Sequence, residues 1–303
     1  MPSSLYSNPV PTRPKSDIQP SLFGPERPKE IHRPPDPPNL LIGTSAFTAN
    51  GWSGSFYPAN LKPADQLPFY ASHFRTVEID STYYGTPAAS TVENWYRKTP
   101  ADFIFAAKIP QLITHERILA GCNAEFDEFI SRMAPLKEKL GPLLFQFPKF
   151  SKYELKDQTF FDRLRFFLLR ATERYNHKFV VEVRNKPWLN AELASLLREY
   201  KVALALTDTS FVPRPWEHAK PFDPITAPFV YVRWLGDRKG IESITTTWDK
   251  LVVDRSSDLR QWADIFRTIS PLIPVYIYAN NHYAGNGPLT ITLFRQLLLD
   301  PKH

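Results

Sequence analysis

The 303-residue sequence predicts a single closed (β/α)8 barrel of the TIM type, preceded by a proline-rich arm. Three observations support this fold class. Eight short apolar runs alternate with segments of helical periodicity between residues 39 and 303. Parallel strands need crossover helices, and closing the sheet removes its exposed edges. Polar residues gather at the carboxyl ends of the apolar runs, where such barrels place their functional groups. A doubly wound open sheet is the alternative.

The N-terminal segment differs in composition from the rest of the chain. Residues 1–38 contain 11 prolines, few aliphatic residues and charges of both signs. Such a segment cannot bury enough apolar surface to offset the entropy that it loses on ordering. We therefore predict a flexible arm over residues 1–38 and one barrel domain over residues 39–303.

The predicted strands are short runs rich in β-branched, aliphatic and aromatic residues. The second predicted strand begins at residue 76. The other seven cover residues 39–45, 103–109, 142–147, 178–184, 202–207, 229–235 and 274–279. The run Thr76-Val77-Glu78-Ile79 is typical, because apolar and polar residues alternate along it.

The predicted helices follow the strands in order. They cover residues 63–74, 88–98, 124–140, 160–175, 191–200, 259–269 and 290–299. In the third of them, apolar residues recur at helical spacing at Phe126, Phe129, Ile130 and Met133. Five prolines and no amphipathic stretch between residues 208 and 228 predict that the sixth barrel helix is short or missing.

The composition limits the classes of protein to consider. The single cysteine, Cys122, excludes an internal disulfide framework and a cysteine-based zinc cluster. No run approaches the ~18 apolar residues of a membrane-spanning helix, and the N-terminus lacks the apolar core of a secretory signal. We therefore expect a soluble cytoplasmic protein with no membrane partner. The net charge of +6 allows weak, non-specific binding of nucleic acid, and the oligomeric state is left open.

The second strand carries two carboxylates that define the centre of the predicted site. Side chains alternate along a strand, so Glu78 and Asp80 share a face. In a closed barrel this face points inward, where a carboxylate needs a partner. Lys108, Arg184 and Arg233 lie near the ends of other strands and supply matching positive charges.

Side chains at the strand ends and in the following loops form the candidate site. The acid and base candidates are Glu78, Asp80, Glu182, Asp208 and His115. The candidates for binding a substrate or an anion are Lys108, Gln146, Arg184, Arg233, Asn280, Asn281, His282 and Tyr83. Glu78 and Glu182 belong to strands that lie nearly opposite, so they are expected to approach a ligand from both sides. The alternative is a buried ring in which these charges satisfy one another.

Metal and phosphate motifs are weak in this sequence. The carboxylates and histidines that a divalent metal could use lie on separate strands: Asp80, Glu182, Asp208, His115 and His282. We predict no cofactor, with a divalent metal as the alternative. Gly285-Asn286-Gly287 precedes the last helix, where many barrels bind phosphate, but two glycines in a loop more often form a simple turn.

Several strings taken together resemble the DUF72 family, also called YecE-like. They are Ile42-Gly43-Thr44-Ser45, residues 76–84, Lys108-Ile109-Pro110, Ile113-Thr114-His115, residues 141–148, Val181-Glu182-Val183-Arg184, Tyr231-Val232-Arg233 and residues 276–281. The resemblance implies a TIM-type barrel and no established general reaction. Likeness of such barrels to endonuclease IV and xylose isomerase implies nucleic-acid or sugar chemistry only by analogy of fold.

The sequence also departs from the pattern of that family. Ala46-Phe47 stand where Gly-Trp is usual, and Asp80 replaces the usual Asn. Asn185 stands where His is common, and Trp234-Leu235 where Leu-His is common. The loss of two histidines weakens any mechanism that depends on them.

The leading functional hypothesis is an enzyme that acts on a small polar substrate, anionic or sugar-like, at the mouth of the barrel. Carboxylate acid–base chemistry of the hydrolase or isomerase type follows from the acidic candidates. The alternatives are a nucleic-acid-binding or endonuclease IV-like barrel and a non-enzymatic interaction module.

Overall fold

The fold is a (β/α)8 barrel, as predicted. The structure, a computed structural model, describes residues 33–151, 155–217 and 222–300. Within them, parallel strands pair in the order β1-β8-β7-β6-β5-β4-β3-β2 and form a nearly closed barrel. The strands are β1 (Leu40–Thr44), β2 (Thr76–Ile79), β3 (Ile104–Lys108), β4 (Leu140–Gln146), β5 (Phe179–Glu182), β6 (Ala203–Thr209), β7 (Val230–Gly236) and β8 (Val275–Ala279).

Helices follow the strands along the chain, and the longer ones pack on the outside of the barrel. The helices are α1 (Pro63–Ala71), α2 (Ala89–Arg97), α3 (Asn123–Met133), α4 (Asp157–Arg174), α5 (Ala191–Glu199), α6 (Arg238–Glu242), α7 (Ser256–Ile269), α8 (Asn281–Ala284) and α9 (Gly287–Leu299). In the described part of the loop between β6 and β7, the helical structure is one 3-10 turn at Pro215–Glu217. This confirms the prediction of a short or missing sixth helix. Among the described helices, none has the length and apolarity needed to cross a membrane.

Strand alternation divides the core into two layers. Inside the barrel, the inward-facing apolar side chains are Leu41, Ala106, Leu144, Val180, Ala203, Ala205, Phe229, Tyr231, Tyr276 and Tyr278. The opposite faces of the strands pack against the helices. In α7, for example, Leu259, Trp262 and Phe266 recur on one face and are buried. The inward positions that follow this inner layer are polar, and they form the candidate site at the carboxyl ends of the strands.

The seam between β1 and β2 is bridged by a side chain of α1. The backbone N–H of Thr44 donates to Tyr70 Oη at 2.8 Å, and the Tyr70 hydroxyl donates to the carbonyl oxygen of Thr76 at 3.1 Å. Gly43 makes this close approach feasible, because a Cβ there would lie 2.0 Å from the Thr76 oxygen. A phenol group therefore joins two strands that would otherwise share their backbone hydrogen bonds directly.

Residues 33–38, the last part of the predicted arm, make contacts with the barrel domain. Arg295 of α9 donates two hydrogen bonds to the carboxylate of Asp36, at 2.8 and 2.7 Å. Arg–carboxylate pairs with this two-point geometry are among the stronger polar contacts in proteins. The rest of the predicted arm, residues 1–32, lies outside the described residues.

Candidate functional site

A buried cluster of three charges lies at the base of the barrel mouth. Arg233 of β7 donates from Nε and Nη2 to Glu78 Oε1, at 3.1 and 2.7 Å. Its Nη1 donates to Glu182 Oε2 at 2.6 Å. All three residues are at most 2% exposed. Their charges are therefore stabilised by one another rather than by water. The two glutamates contact Arg233 through different nitrogens, so the group between them is an arginine of the protein itself.

The remaining carboxylate oxygens of this cluster also have partners. The Tyr231 hydroxyl donates to Glu78 Oε2 at 2.5 Å, and Arg184 Nε donates to Glu182 Oε1 at 3.2 Å. Burial by itself raises the pKa of Glu182, but the positive charges of Arg233 and Arg184 hold it below its ordinary value. Glu182 is therefore an ionised hydrogen-bond acceptor near neutral pH. This arrangement favours a positioning role for the two glutamates over proton transfer.

A polar cavity of about 340 Å³ opens above this cluster. Its lining residues are Asp80, Lys108, Arg184, Thr209, Phe211, Arg233, Leu235, Gly236, Arg238, Asn280 and His282. Among these described residues, four carry a permanent positive charge and one is a carboxylate. Six of the predicted site residues line this cavity, so the structure brings much of the predicted set together.

Asp80 is the carboxylate that the cavity exposes. It directly follows β2, and its side chain is 39% exposed. Lys108 Nζ lies 2.8 Å from Asp80 Oδ1 and 4.5 Å from the centre of the Tyr83 ring. The ammonium group is thus held between a carboxylate and an aromatic face. Because Asp80 is accessible to water and ligand, it is better placed for acid–base work than Glu78 or Glu182.

Arg184 presents open hydrogen-bonding positions to the cavity. Its guanidinium group lies 4.8 Å from the centre of the Phe211 ring, and its Nε bonds to Glu182. Within the described residues, Nη1 and Nη2 of Arg184 make no hydrogen bond. A planar guanidinium whose terminal nitrogens are open matches the two-oxygen geometry of a carboxylate or a phosphate.

His115 borders the mouth without lining the cavity. It lies in a π-helical turn, Leu112–Glu116, and its ring meets the Tyr83 ring edge-on at 5.0 Å. Its Nδ1 is 2.8 Å from Thr114 Oγ1. Burial lowers the pKa of His115 to about 4, with further contributions from the positive charges of Lys108 and Arg184. The imidazole is therefore neutral at pH 7.

His282 lines the mouth cavity with both ring nitrogens close to side-chain oxygens. The backbone N–H of His282 donates to Asn280 Oδ1 at 3.0 Å, so this oxygen is an acceptor. His282 Nδ1 lies 2.6 Å from the same oxygen and must therefore carry a proton. Nε2 lies 3.0 Å from Glu242 Oε1. The backbone N–H of His282 can only donate, so it fixes the amide orientation, and Asn280 Nδ2 then donates to Ser45 Oγ at 2.8 Å.

Asp208 lies outside this site, which corrects the sequence-based placement. Its Oδ2 accepts hydrogen bonds from Trp262 Nε1 at 3.1 Å and from the Tyr283 hydroxyl at 2.9 Å. Its Oδ1 lies 2.9 Å from Arg214 Nε. These partners belong to the helices and loops outside β6, so the carboxylate points away from the barrel interior. It anchors the loop after β6 to α7.

Two predicted amide ligands are also used within the protein. Asn281 Oδ1 accepts hydrogen bonds from Trp52 Nε1 at 3.0 Å and from the backbone N–H of Gly287 at 2.8 Å. The buried Gln146 donates from Nε2 to the carbonyl oxygen of Phe147 at 2.7 Å. Neither residue lines the cavity, and both contacts stabilise the loops that surround it.

The glycine-rich turn before α9 does not offer a phosphate site. Asn286 Oδ1 accepts a hydrogen bond from the backbone N–H of Leu289 at 2.8 Å, and Asn281 occupies the N–H of Gly287. The first N–H groups of α9 are therefore capped by the chain itself. Gly285 adopts a left-handed φ of 114°, which explains the glycine as a turn residue.

Three cavity residues besides Gly236 are not among the candidates that the sequence suggests: Thr209, Leu235 and Arg238. The sequence pattern is sufficient to predict that Thr209 faces inward, because it follows Ala203 and Ala205 at even spacing on the inner face. Its Oγ1 is buried and has no hydrogen-bond partner within the described part of the chain. Arg238 comes from α6, and no strand-end pattern marks it.

The described residues contain no group of three or more histidine, cysteine, aspartate or glutamate side chains arranged to hold a metal ion.

The fold and the site define a (β/α)8 barrel with a small, charged cavity at its carboxyl-terminal mouth. The chain belongs to the family described as protein of unknown function DUF72, whose sequence model matches residues 41–303. This confirms the resemblance drawn from the sequence strings.

Two curated relatives match parts of the chain. UPF0759 protein YecE of Escherichia coli K12 is 38% identical over 82 residues, which are 27% of this chain and 30% of the relative. UPF0759 protein YunF of Bacillus subtilis is 35% identical over 106 residues, or 32% of this chain and 38% of the relative. The matched segments thus span about a third of the length of these relatives.

Solved structures of the family cover more of the chain. A DUF72 protein from Thermotoga maritima has a TM-score of 0.67 and 27% identity, covering 86% of this chain and 99% of that one. A DUF72 protein from Enterococcus faecalis has a TM-score of 0.62 and 20% identity, covering 86% and 97%. The latter likeness shows the fold alone.

Proposed function

We propose that the mouth cavity binds a small polar molecule that carries a carboxylate or phosphate group. The observation that supports this proposal is the state of Arg184, which lines the cavity and whose Nη1 and Nη2 make no hydrogen bond to the described residues. Lys108 and Arg238 line the same cavity and add positive charge. An oxyanion bound there exchanges water for fixed, charge-assisted hydrogen bonds.

We further propose that the protein is an enzyme of the isomerase or hydrolase type, with Asp80 as its acid–base group. Asp80 is exposed to the cavity, and its Oδ1 lies 2.8 Å from the Lys108 ammonium, which holds the carboxylate in place. A carboxylate in this position is suited to take a proton from a carbon or a water next to the bound anion. Lys108 and Arg184 then stabilise the negative charge that develops on the substrate.

In this proposal the buried glutamates position the binding groups. Glu182 holds both Arg184 and Arg233, and Glu78 holds Arg233 from the other side. Their role is to keep the guanidinium groups in place before the ligand arrives, which lowers the cost of ordering on binding.

Ligand binding can be tested by isothermal titration with small phosphates, carboxylates and neutral molecules of similar size. We expect phosphates and carboxylates to bind the parent protein, and Arg184→Gln to weaken binding at least tenfold. Arg97→Gln is the matched control, because this arginine lies on α2 with a side chain that is 65% exposed. Equal binding by parent and Arg184→Gln, or a preference for neutral molecules, contradicts the proposal.

Proton transfer can be tested without knowledge of the product. Bound ligands are incubated with the protein in D₂O, and the exchange of their C–H protons is followed by NMR. We expect exchange next to the anionic group, a loss of roughly 10²–10⁴-fold in Asp80→Asn, and retained ligand binding in that variant. If Asp80→Asn exchanges as fast as the parent, Asp80 is not the base.

A further inference from the structure

A second cavity, of about 160 Å³, lies between the loop that follows β2 and the loop that follows β3. The residues of its lining that bear on its chemistry are Tyr83, Tyr84, Thr86, Gln111, Glu116 and Glu125. It belongs neither to the buried charge cluster nor to the mouth cavity.

The Tyr83 ring separates the second cavity from the mouth. Tyr83 lines the second cavity, and Lys108, which lines the mouth, places its ammonium 4.5 Å from the centre of the same ring. The two cavities are therefore neighbours across a single aromatic side chain. This adjacency is the geometric basis for considering one ligand that has two chemically distinct ends.

The polar groups of the second cavity are free to bind a ligand. Within the described residues, the side chains of Thr86, Gln111, Glu116 and Tyr84 make no hydrogen bond. Glu125 forms an ion pair with Arg117 at 3.3 Å. The charged side chains among the described lining residues are the carboxylates of Glu116 and Glu125, so the second cavity disfavours an anion. Its polarity is thus opposite to that of the mouth.

The aromatic groups narrow the ligand class further. The rings of Tyr83 and Tyr84 meet at 85° with their centres 5.1 Å apart, and Tyr84 is 75% exposed. A cationic ligand group is disfavoured at Tyr83, because Lys108 already lies against that ring. An uncharged ring with several hydroxyl groups fits better. Its C–H face packs on a tyrosine, and its hydroxyls donate to the Glu116 carboxylate and the Gln111 amide oxygen.

We propose that the second cavity is the subsite for the uncharged, polyhydroxylated ring of a ligand whose anionic group binds in the mouth. The ligand class is then a sugar that carries a phosphate or a carboxylate. This inference rests on the proposed function of the mouth cavity, because it assigns the two halves of one molecule to two neighbouring sites.

The test uses the full-length protein and isothermal titration with four probes: glucose 6-phosphate, glucuronate, inorganic phosphate and glucose. The variants are Glu116→Gln and Tyr84→Ala for the second cavity and Arg184→Gln for the mouth. Glu93→Gln is the control, since Glu93 is an exposed carboxylate on α2. Both second-cavity side chains are exposed, so their replacement leaves the core of the barrel intact.

We expect at least one anionic sugar to bind about tenfold more tightly than inorganic phosphate, the gain of a ring contact and one or two hydrogen bonds. Glu116→Gln and Tyr84→Ala should remove this gain and leave the affinity for inorganic phosphate unchanged, as the control does for all probes. Arg184→Gln should weaken the anionic sugars and phosphate alike. The ratio of glucose 6-phosphate to glucuronate affinity tells which anion the mouth prefers.

The two proposals fail in different ways. If anionic sugars bind no more tightly than inorganic phosphate, or if both second-cavity variants keep the gain, the subsite is refuted while the anion site stands. If Arg184→Gln changes neither affinity, or if no anion binds, the proposed function of the mouth is refuted and the subsite with it.

Discussion

Replacing Arg233 tests whether the buried charges hold the barrel mouth together. Arg233→Met keeps a long, flexible side chain but removes the cation that Glu78 and Glu182 share. Three hydrogen bonds are lost, at 3.1, 2.7 and 2.6 Å, and two carboxylates are left inside the barrel. Arg184 still contacts Glu182 at 3.2 Å, so Glu78 loses the most.

Breaking a buried ion pair by removing one partner costs about 3–5 kcal/mol. A change of 1 kcal/mol moves the melting temperature of a domain of this size by about 2–4 °C, so the expected fall is roughly 6–20 °C. The assay is thermal and urea unfolding followed by circular dichroism at pH 7. The deficit should shrink at low pH, because protonation neutralises the stranded carboxylates.

A compensating variant separates electrostatics from packing. Adding Glu78→Gln and Glu182→Gln to Arg233→Met removes both stranded charges and keeps the side-chain shapes, so most of the lost stability should return. Arg97→Met, on the exposed surface of α2, should change the midpoint little. The reasoning is refuted if Arg233→Met costs less than about 1 kcal/mol, or if the triple variant is no more stable than the single one.

Three further predictions follow from other contacts. Tyr70→Phe should cost about 1–3 kcal/mol in urea unfolding, because it strands the N–H of Thr44 and the carbonyl of Thr76 at the seam; an unchanged midpoint would contradict this. His115 has a pKa of about 4 in the folded protein, against an ordinary value of 6.5. As the pH falls, this histidine is therefore protonated in the unfolded chain at a higher pH than in the folded protein. The stability from neutral His115 is present above pH 6.5 and is lost between pH 6.5 and 4, and His115→Asn should flatten that part of the stability curve; equal slopes would argue against it. Binding of DNA or RNA should be weak, and its affinity should fall steeply as the salt concentration rises. Submicromolar affinity at physiological ionic strength would favour a nucleic-acid-binding function over a small-molecule site.

Local pattern was sufficient to predict most of the fold. Strand alternation predicts the inward side chains of β2, β5 and β7, and proline content predicts that helical structure after β6 is reduced, as the described part of that loop shows. The contact between Asp36 and Arg295 lay beyond such reasoning, because it joins residues 259 positions apart. A proline-rich composition indicates how little surface a segment can bury on average. One ion pair can attach the last six residues of the segment to the barrel without changing that average composition.

The candidate site was harder to predict, and Asp208 shows why. Its polarity and its position near the end of a strand predict a place at the mouth. Its parity is that of Leu204 and Leu206, which pack against the helices, whereas Ala203 and Ala205 face the barrel interior. Because side chains alternate along the strand, Asp208 points outward and Thr209 points into the cavity.

Parity alone does not identify the functional groups among the inward charges, because function depends on which of them are left without a partner. Arg233 lies near the carboxyl end of β7, and Arg184 follows β5. The sequence pattern alone does not distinguish the two arginines. In the fold, all three nitrogens of Arg233 bond to glutamates, while within the described residues the two terminal nitrogens of Arg184 remain open. A saturated arginine can only organise its neighbours, and an open one can bind a ligand. The distinction between scaffold and binding site is thus made by pairings across the barrel, between strands that are far apart in sequence.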